Sequence, residues 1–313
     1  MMPIAHYRRG LLAVCLALLT TGFTAASAET ALEAGTPPVQ LASVYALVGD
    51  LSTGEVLFGK HPDIPVPIAS VTKLMTAMVV LDSKQSLDEW IPVMDWAENP
   101  EKNAYSRLRV GSEVRRGDLL RIAVMSSENL ASNTLARHYP GDVPAFVAAM
   151  NAKAAQLGMS NASFADPTGL STGNTASARD LWKMILAAYQ YDVLRDYSTT
   201  YQHSVSFRNP RYSLAYGNTN PLTASSRWDV RLSKTGYLSE SGRCLAMVAD
   251  IGGSPVAMIL LNSLGTRSPL GDAGRVRRWL ETGEQGSVAG AARDYEREKS
   301  RALPVSATEL ADD

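Results

Sequence analysis

Three short motifs hold the side chains that could carry chemistry: Ser70-Val71-Thr72-Lys73, Ser127-Glu128-Asn129 and Lys234-Thr235-Gly236. Each pattern, Ser-x-x-Lys, Ser-x-Asn and Lys-Thr-Gly, occurs once in the 313 residues. A serine hydroxyl becomes a good nucleophile only when a base takes its proton, and lysine can be that base once it has lost its own proton. Each motif alone is more typical of a helix cap or an edge strand, but together they predict a serine acyl-transfer site.

The spacing of the first motif suits proton transfer between its two polar side chains. A helix that begins at Ser70 places Lys73 one turn away on the same face. Lysine would need its pKa lowered by about three units from its usual value of about 10.4. Burial and a second cation both act in that direction, and Lys234 is the candidate cation. The unpaired N–H of Ser70 at the helix start could also help to bind an oxyanion.

The second motif follows the apolar run 119–125, where a helix would end or meet a loop. The hydroxyl of Ser127 could relay a proton to a leaving amine, and the amide of Asn129 could hydrogen-bond to Lys73 or to the substrate. The motif therefore predicts a proton relay beside the nucleophile.

The third motif lies in a strand-like segment. A glycine weakens a strand unless something must approach its backbone closely, and an extended peptide is such a partner. Lys234 and Thr235 would then face a substrate carboxylate or carbonyl, Gly236 would admit the peptide, and the N–H of Tyr237 could complete the oxyanion hole.

Other candidate sites have less support. The four histidines, His6, His61, His138 and His203, lie in unrelated contexts, so we predict neither a Ser-His-Asp site nor a metal site, and no cofactor. Asp166-Pro167-Thr168-Gly169 predicts a turn, with a loop bordering the active site as the alternative. Cys244 lies between apolar residues and is expected to be a buried strand residue.

The N-terminus has the pattern of an export signal. His6, Arg8 and Arg9 precede an apolar core at 11–19, and Ala26-Ser27-Ala28 offers a cleavage site. We expect cleavage after about Ala28, a periplasmic location and no integral membrane segment in the mature chain; an uncleaved anchor is the alternative. A net charge of −1 and a pI near 6.4 give no reason to expect a nucleic-acid partner.

The periodicity of the chain predicts the elements that must position these motifs. Short strands are expected at 43–48 and 55–59, helical stripes from 70 to about 190, three strands at 230–238, 243–251 and 255–262, and a closing helix at 267–280. Strands at both ends of a helical insertion indicate one α+β domain whose antiparallel sheet combines N- and C-terminal segments. We therefore divide the chain into a signal peptide (1–28), a linker (29–42), a serine peptidase domain (43–283) and a flexible tail (284–313).

The chain resembles the low-molecular-mass penicillin-binding proteins, which have the same three motifs in the same order. The class A β-lactamases have a similar set of motifs. The resemblance covers about residues 40–283 and includes the segments 164–170 and 234–237. Within this family the chain most resembles the D-alanyl-D-alanine endopeptidase (penicillin-binding protein 7) type. Glu128 and the amino-acid sequence of residues 69–82 carry this closer resemblance. Related carboxypeptidases usually have a small residue at Glu128, and they add a β-rich domain and an anchor for which we expect no room here.

The resemblance implies a β-lactamase/transpeptidase-like fold and cleavage of D-Ala–meso-diaminopimelate cross-links in peptidoglycan peptides, with β-lactams as covalent inhibitors. It implies these roles: Ser70 as nucleophile, Lys73 as base, Ser127 as proton relay, Asn129 and Lys234 as organising residues, Thr235 and Gly236 as substrate-binding residues, and the N–H groups of Ser70 and Tyr237 as the oxyanion hole. D-alanyl-D-alanine carboxypeptidase activity is the main alternative. A β-lactamase and a noncatalytic peptidoglycan-binding module are less favoured, since no Glu with a nearby Asn stands in 160–172 and a module would leave Ser70, Lys73 and Lys234 unexplained.

Overall fold

A computed structural model describes residues 37–98, residue 100 and residues 105–303. The predicted signal peptide, residues 29–36 of the predicted linker and residues 304–313 of the predicted tail lie outside this range. In the part of the chain that the structure describes, no helix combines the length and the apolar character needed to cross a membrane.

The elements follow one another along the chain as strands, then mainly helices, then strands. The strands are β1 (Tyr45–Asp50), β2 (Val56–Lys60), β3 (Val66–Pro67), β4 (Trp90–Pro92), β5 (Glu113–Arg115), β6 (Thr175–Ala176), β7 (Gln202–Phe207), β8 (Tyr212–Gly217), β9 (Asp229–Leu238), β10 (Gly242–Ile251) and β11 (Ser254–Ser263). The helices are α1 (Lys73–Asp82), α2 (Arg116–Met125), α3 (Asn129–Arg137), α4 (Asp142–Gln156), α5 (Ala178–Ala188), α6 (Asp192–Thr199), α7 (Ser268–Thr282) and α8 (Gly290–Arg301).

The main sheet has the strand order β2-β1-β11-β10-β9, and every neighbouring pair is antiparallel. Strand β1 pairs with β11 in a register that sets Tyr45 opposite Leu261, so the two ends of the domain meet in the sheet. Residues 244–249 of β10 and 256–261 of β11 are all buried, as their continuous apolar runs require. The α+β prediction and the three-strand meander are confirmed, and Cys244 is a buried strand residue.

Along the chain, the helical region comes between β2 and β9, and in the fold it packs against the main sheet. Helix α1 is buried from Lys73 to Val80 and contacts α2, α3, α4 and α5, so it is the central helix of this region. Helix α5 packs on β1 and β11, where the Trp182 ring lies so close to Gly49 that a side chain there would collide with it. The first motif therefore sits on an element held rigidly on several sides.

The structure corrects one prediction at the C-terminus. We predicted a flexible tail over 284–313, but Gly290–Arg301 form helix α8, which contacts β11. Tyr295 Oη donates to Asn262 Oδ1 at 2.6 Å, and Lys60 Nζ lies 2.8 Å from a carboxylate oxygen of Glu296. Polar contacts and the buried Ala292 hold this helix on the sheet. The helix therefore packs there without the apolar stripe that sequence analysis looks for.

The sequence analysis also left the hairpin β7–β8 unpredicted. Its strands pair from Gln202 opposite Gly217 to Phe207 opposite Tyr212, and Arg208 pairs with Glu113 at the end of the hairpin. The hairpin leads through residues 218–228 into β9, so it supplies the connection that enters the third motif.

Candidate active site

Ser70 lies in a short 3-10 helix, Ala69–Thr72, that runs directly into α1. In 3-10 geometry the side chains at i and i+3 lie above one another, and the Lys73 Nζ donates to Ser70 Oγ at 3.1 Å. The sequence predicted this contact from an α-helix that begins at Ser70. The structure forms it through the tighter turn.

Lys73 is fully buried and has three acceptors around its amine. Besides Ser70 Oγ, it donates to Asn129 Oδ1 at 2.7 Å and to the carbonyl oxygen of Thr168 at 2.5 Å. Burial lowers the pKa of Lys73 to about 8, while the charges of Asp166 and Glu128 oppose the shift. The amine is therefore fixed in place and can release its proton within the physiological pH range.

Ser127 stands between α2 and α3 with a positive φ of 62°, in the left-handed region. This sharp turn directs its hydroxyl toward the third motif, because Lys234 Nζ donates to Ser127 Oγ at 3.0 Å. The second motif is thus joined to the first through Asn129 and to the third through Ser127.

Lys234 is buried in β9, where its amine also donates to the carbonyl of Thr235 at 2.7 Å. Burial lowers the pKa of Lys234 well below its ordinary value, and the neighbouring Lys73 lowers it further. We predicted that Lys234 would be the cation that lowers the pKa of Lys73. Burial, the other cause we predicted, is the larger one at Lys73, and the closeness of the two amines adds to the lowered pKa of Lys234.

Gly236 brings the edge strand β9 against the nucleophile. A Cβ at this position would lie 3.1 Å from Ser70 N and 3.0 Å from the carbonyl oxygen of Ile68, so a side chain would push the strand away. Tyr237 follows at the edge of the sheet, half exposed, with the Arg243 guanidinium 3.8 Å from its ring centroid. The two N–H groups proposed for the oxyanion hole, those of Ser70 and Tyr237, therefore belong to adjoining segments.

The loop 166–174 completes the surroundings of Lys73. The Asp166 carboxylate accepts hydrogen bonds from five donors: Thr168 N, Thr168 Oγ1, Gly169 N, Ser171 N and Asn174 Nδ2. These bonds hold the Thr168 carbonyl on the lysine amine. Both interpretations of the Asp166 motif hold, because it forms a turn and the turn borders the site.

Sequence reasoning missed the Thr168 carbonyl, which is a main-chain group without a residue-type pattern. The pattern that could have revealed it is an aspartate followed by Pro-Thr-Gly, because aspartate accepts from the backbone two or three residues ahead and holds such a loop closed. A closed loop next to a helical serine would have suggested a carbonyl facing the lysine.

Glu128 forms the N-cap of α3. Its Oε1 accepts from Leu130 N at 3.1 Å and from Ser106 Oγ at 2.7 Å. Burial raises its pKa, and its charge in turn supports the protonated form of Lys73. Glu128 is thus a structural cap that also shapes the electrostatics around the base.

His138 and His203 contact groups outside these motifs. His203 pairs with Asp118 at 2.8 Å, and a ring nitrogen of His138 lies 2.9 Å from the carbonyl oxygen of Pro92. Among the described residues, no cluster of three or more His, Cys, Asp or Glu side chains could hold a metal ion. The chemistry that the site can perform is proton transfer between hydroxyl and amine pairs.

Acylation of Ser70 is expected to accelerate as the pH rises and to level off above about pH 8, the pKa of Lys73. A base acts in its unprotonated form, and near pH 7 only about one Lys73 in ten would be unprotonated. The rate of labelling by a fluorescent penicillin, measured from about pH 6 to about pH 10, checks this, with Ser70→Ala as the blank at each pH. A rate that falls as the pH rises through this range would contradict the assignment of Lys73 as base.

Comparison with known proteins places this geometry in a family. A family model described as D-alanyl-D-alanine carboxypeptidase matches residues 30–265. The chain is 46% identical over 299 residues to the D-alanyl-D-alanine endopeptidase of Pseudomonas aeruginosa, covering 92% of this chain and 96% of that protein. It is 42% identical over 301 residues to the D-alanyl-D-alanine endopeptidase of Escherichia coli K12, covering 96% and 97%.

A solved structure agrees with the sequence matches. The Streptomyces K15 DD-transpeptidase superposes with a TM-score of 0.70 at 26% identity, covering 78% of this chain and 99% of that one. The fold is therefore the β-lactamase/transpeptidase-like fold that the sequence predicted. This chain belongs to the D-alanyl-D-alanine carboxypeptidase family of low-molecular-mass penicillin-binding proteins and is a serine-type D-Ala-D-Ala peptidase.

Proposed function

We propose that this chain hydrolyses the D-Ala–meso-diaminopimelate cross-links of peptidoglycan through an acyl-enzyme on Ser70. The observation that carries the proposal is the meeting of two hydroxyl–lysine pairs, Ser70 with Lys73 at 3.1 Å and Ser127 with Lys234 at 3.0 Å. One pair can activate a nucleophile, and the other can deliver a proton to a leaving amine.

Acylation proceeds by proton transfer from Ser70 to unprotonated Lys73 as Ser70 Oγ bonds to the D-Ala carbonyl carbon. The carbonyl oxygen gains negative charge and is stabilised by the N–H groups of Ser70 and Tyr237. The carbon–nitrogen bond then breaks: Ser127 passes a proton to the departing diaminopimelate amine and regains the proton that Lys73 took from Ser70, while Lys234 holds the Ser127 hydroxyl. Water subsequently hydrolyses the ester and regenerates Ser70.

The remaining motif residues position the reactants. Asn129 holds the base, while Thr235 and Gly236 bind the substrate along the open edge of β9. A penicillin would acylate Ser70 in the same way and remain attached. These roles are supported by the short distances among the three motifs and by the close approach of the Gly236 backbone to Ser70 N.

Two observations favour the endopeptidase over its alternatives. The relatives that match nearly the whole chain at 42% and 46% identity are both named endopeptidases. A β-lactamase needs a carboxylate that activates the deacylating water, whereas the Asp166 carboxylate beside the site already accepts from five donors. A carboxylate has about four lone-pair sites, so Asp166 has no capacity left for that water.

Export remains part of the proposal. The charged N-terminus, the short apolar core and Ala26-Ser27-Ala28 support removal of residues 1–28 and a periplasmic location, where peptidoglycan cross-links are accessible.

In the decisive experiment, the purified protein is incubated with a cross-linked peptide dimer and, separately, with monomeric pentapeptide. The masses of the product peptides are then measured by mass spectrometry. We expect monomers from the dimer, and no product from Ser70→Ala. Loss of only the terminal D-Ala would identify a carboxypeptidase instead, and rapid turnover of nitrocefin would identify a β-lactamase. Equal labelling of wild type and Ser70→Ala by a fluorescent penicillin would overturn the catalytic assignment.

A further inference from the structure

The segment 105–109 extends the surface of the active site beyond the three motifs. Ser106 Oγ donates to Glu128 Oε1 at 2.7 Å, and Glu128 is the middle residue of the second motif. The residue before it, Ser127, is the proposed proton relay for the leaving group. A substrate that lies against the second motif can therefore also reach the segment 105–109 with its outer part.

This segment carries two exposed arginines. Arg107 and Arg109 face solvent, whereas Leu108 between them is buried. In the part of the chain that the structure describes, no carboxylate forms an ion pair with either guanidinium, in contrast to Arg115, which pairs with Asp88 at 2.7 Å. On a chain whose net charge is −1, the segment thus presents two positive charges that no ion pair neutralises.

Aromatic rings of β8 hold the two guanidinium groups in place. The Cζ of Arg107 lies 4.6 Å from the centroid of the Tyr216 ring, and its Nη2 donates to the carbonyl of Ala215 at 2.7 Å. The Cζ of Arg109 lies 4.7 Å from the centroid of the Tyr212 ring, whose Oη accepts from Arg109 N at 3.1 Å. A stacked guanidinium keeps N–H groups at its edge for a carboxylate. Because both side chains are already ordered, binding an anion costs them little conformational entropy.

The rings under the arginines are themselves fixed. Tyr212 stacks on Phe207 of β7 with ring centroids 4.3 Å apart and planes 4° from parallel. The Tyr212 Oη also lies 2.9 Å from Ser112 Oγ, and the Tyr216 side chain is buried. The hairpin β7–β8 therefore acts as a rigid support that presents both arginines beside the second motif.

Two ordered arginines without carboxylate partners match a ligand that carries a free carboxylate. In peptidoglycan peptides, D-glutamate is joined to the next residue through its side-chain carboxyl group, so its α-carboxylate stays free. On the acyl-donor side of the cross-link, this glutamate stands two residues before the D-Ala whose carbonyl carbon is attacked. Its α-carboxylate is thus on the order of 10 Å from Ser70. Arg107 is within similar reach, because a single hydrogen bond joins the preceding Ser106 to the second motif.

We propose that Arg107 and Arg109 form an exosite that binds the free α-carboxylate of the γ-linked D-glutamate in peptidoglycan peptides. The inference rests on the proposed function, because it takes a peptidoglycan peptide as the ligand. It extends recognition to a part of the substrate away from the scissile bond and assigns a role to the hairpin β7–β8.

The test measures Kd for the cross-linked dimer by isothermal titration calorimetry on Ser70→Ala, which cannot cleave it. A second dimer has the glutamate α-carboxylates converted to primary amides. We expect Arg107→Gln and Arg109→Gln to raise Kd for the carboxylate dimer about threefold each and about tenfold together, because exposed ion pairs are individually weak and separate pairs add. Kd for the amidated dimer should change by less than about twofold. Replacing both arginines by lysine, which keeps the charges, should restore most of the affinity for the carboxylate dimer.

Arg115→Gln is the matched control. The Cζ of Arg115 lies 5.5 Å from the centroid of the Trp90 ring, so this arginine is also stacked, but Asp88 already neutralises it. Its substitution removes the same charge and should leave Kd for both dimers unchanged. An equal loss in Arg115→Gln would reduce the effect to net charge and overturn the exosite.

Three further results would contradict the inference. The first is the absence of binding of the carboxylate dimer to Ser70→Ala. The second is an equal Kd for Ser70→Ala with and without the two glutamine substitutions. The third is a loss of the same size on both dimers, which would indicate a purely structural role for the arginines.

The inference and the proposed function can fail separately. With Ser70 intact, the double glutamine variant should cleave the carboxylate dimer with KM raised about tenfold and kcat within about twofold, because an exosite contact is the same in the ground state and the transition state. If wild type does not cleave the dimer, the proposed function fails, while the Kd comparison on Ser70→Ala still decides whether the exosite exists. If wild type cleaves the dimer and the Kd values are equal, only the exosite fails.

Discussion

Replacing Lys73 by methionine is expected to slow acylation of Ser70 by a fluorescent penicillin about a thousandfold, while the protein remains folded. A positioned general base contributes about 10² to 10⁴ in rate. Methionine has a similar length and no titratable amine, so Ser70 loses the group that takes its proton at 3.1 Å. Time courses of labelling, with thermal unfolding measured in parallel, check the expectation.

The folded state should tolerate this change, because two effects oppose each other. The substitution removes the lysine donor of the buried Thr168 carbonyl, and an unsatisfied buried acceptor costs about 1 to 3 kcal/mol. It also removes a buried amine whose pKa is lowered by its burial, so the protonated form no longer has to be desolvated. A large loss of stability would show that Lys73 mainly supports the loop 166–174.

Lys60→Met is the matched control for the lysine substitution. Lys60, unlike the fully buried Lys73, is partly buried. It bonds to the carbonyl of Ser43 at 2.9 Å and to Glu296 at 2.8 Å, and it lies on β2, at the opposite edge of the sheet from β9. Its substitution should weaken the contact with α8 and leave acylation at the wild-type rate. Labelling of Lys73→Met at the rate of Lys60→Met would mean that another group is the base.

The sequence predicted the parts of this site that depend on side-chain type and period. The alternating and continuous apolar runs located β9, β10 and β11 to within about two residues. The pairing of Ser70 with Lys73 followed from a spacing of three, which is short in both α and 3-10 geometry. The approach of the third motif to the first was implied only by the resemblance to known proteins, because no local pattern encodes contacts between residues 164 positions apart.

The parts that the sequence did not predict depend on main-chain atoms and on polar contacts between distant segments. The Thr168 carbonyl and the stacking of Arg107 and Arg109 on β8 have no residue pattern, since any residue has a carbonyl and arginine and tyrosine are common. Helix α8 was missed for a related reason: its contacts with the sheet include the Lys60–Glu296 ion pair and the hydrogen bond from Tyr295 to Asn262, and neither produces an apolar stripe. The extent to which burial lowers the pKa of Lys73 and of Lys234 was also beyond the sequence, because burial of each amine can be read only from the fold.

Gly169→Ala is expected to lower the free energy of unfolding by about 3 kcal/mol or more and to reduce acylation more than about a hundredfold in the molecules that remain folded. Gly169 has a φ of +82°, and a Cβ there would overlap the carbonyl oxygen of Ala69 and lie 2.9 Å from Ser70 N. Both are backbone atoms, so no side-chain rotation can relieve the overlap. The loop must move away, and it would take the Thr168 carbonyl from Lys73.

Gly54→Ala separates the strain of a positive φ from this collision. Gly54 has a φ of +76°, but a Cβ there would meet no atom within 4 Å. An alanine in the left-handed region costs about 1 to 2 kcal/mol, so Gly54→Ala should lose about that much stability and keep its acylation rate. Chemical denaturation and penicillin labelling of both variants measure the two effects.

If Gly169→Ala matched Gly54→Ala in both stability and acylation rate, the close approach of the loop 166–174 to the 3-10 turn that carries Ser70 would be unimportant for catalysis. If it lost acylation as well as stability, contact between the backbones of these two segments would be what holds the base against the nucleophile.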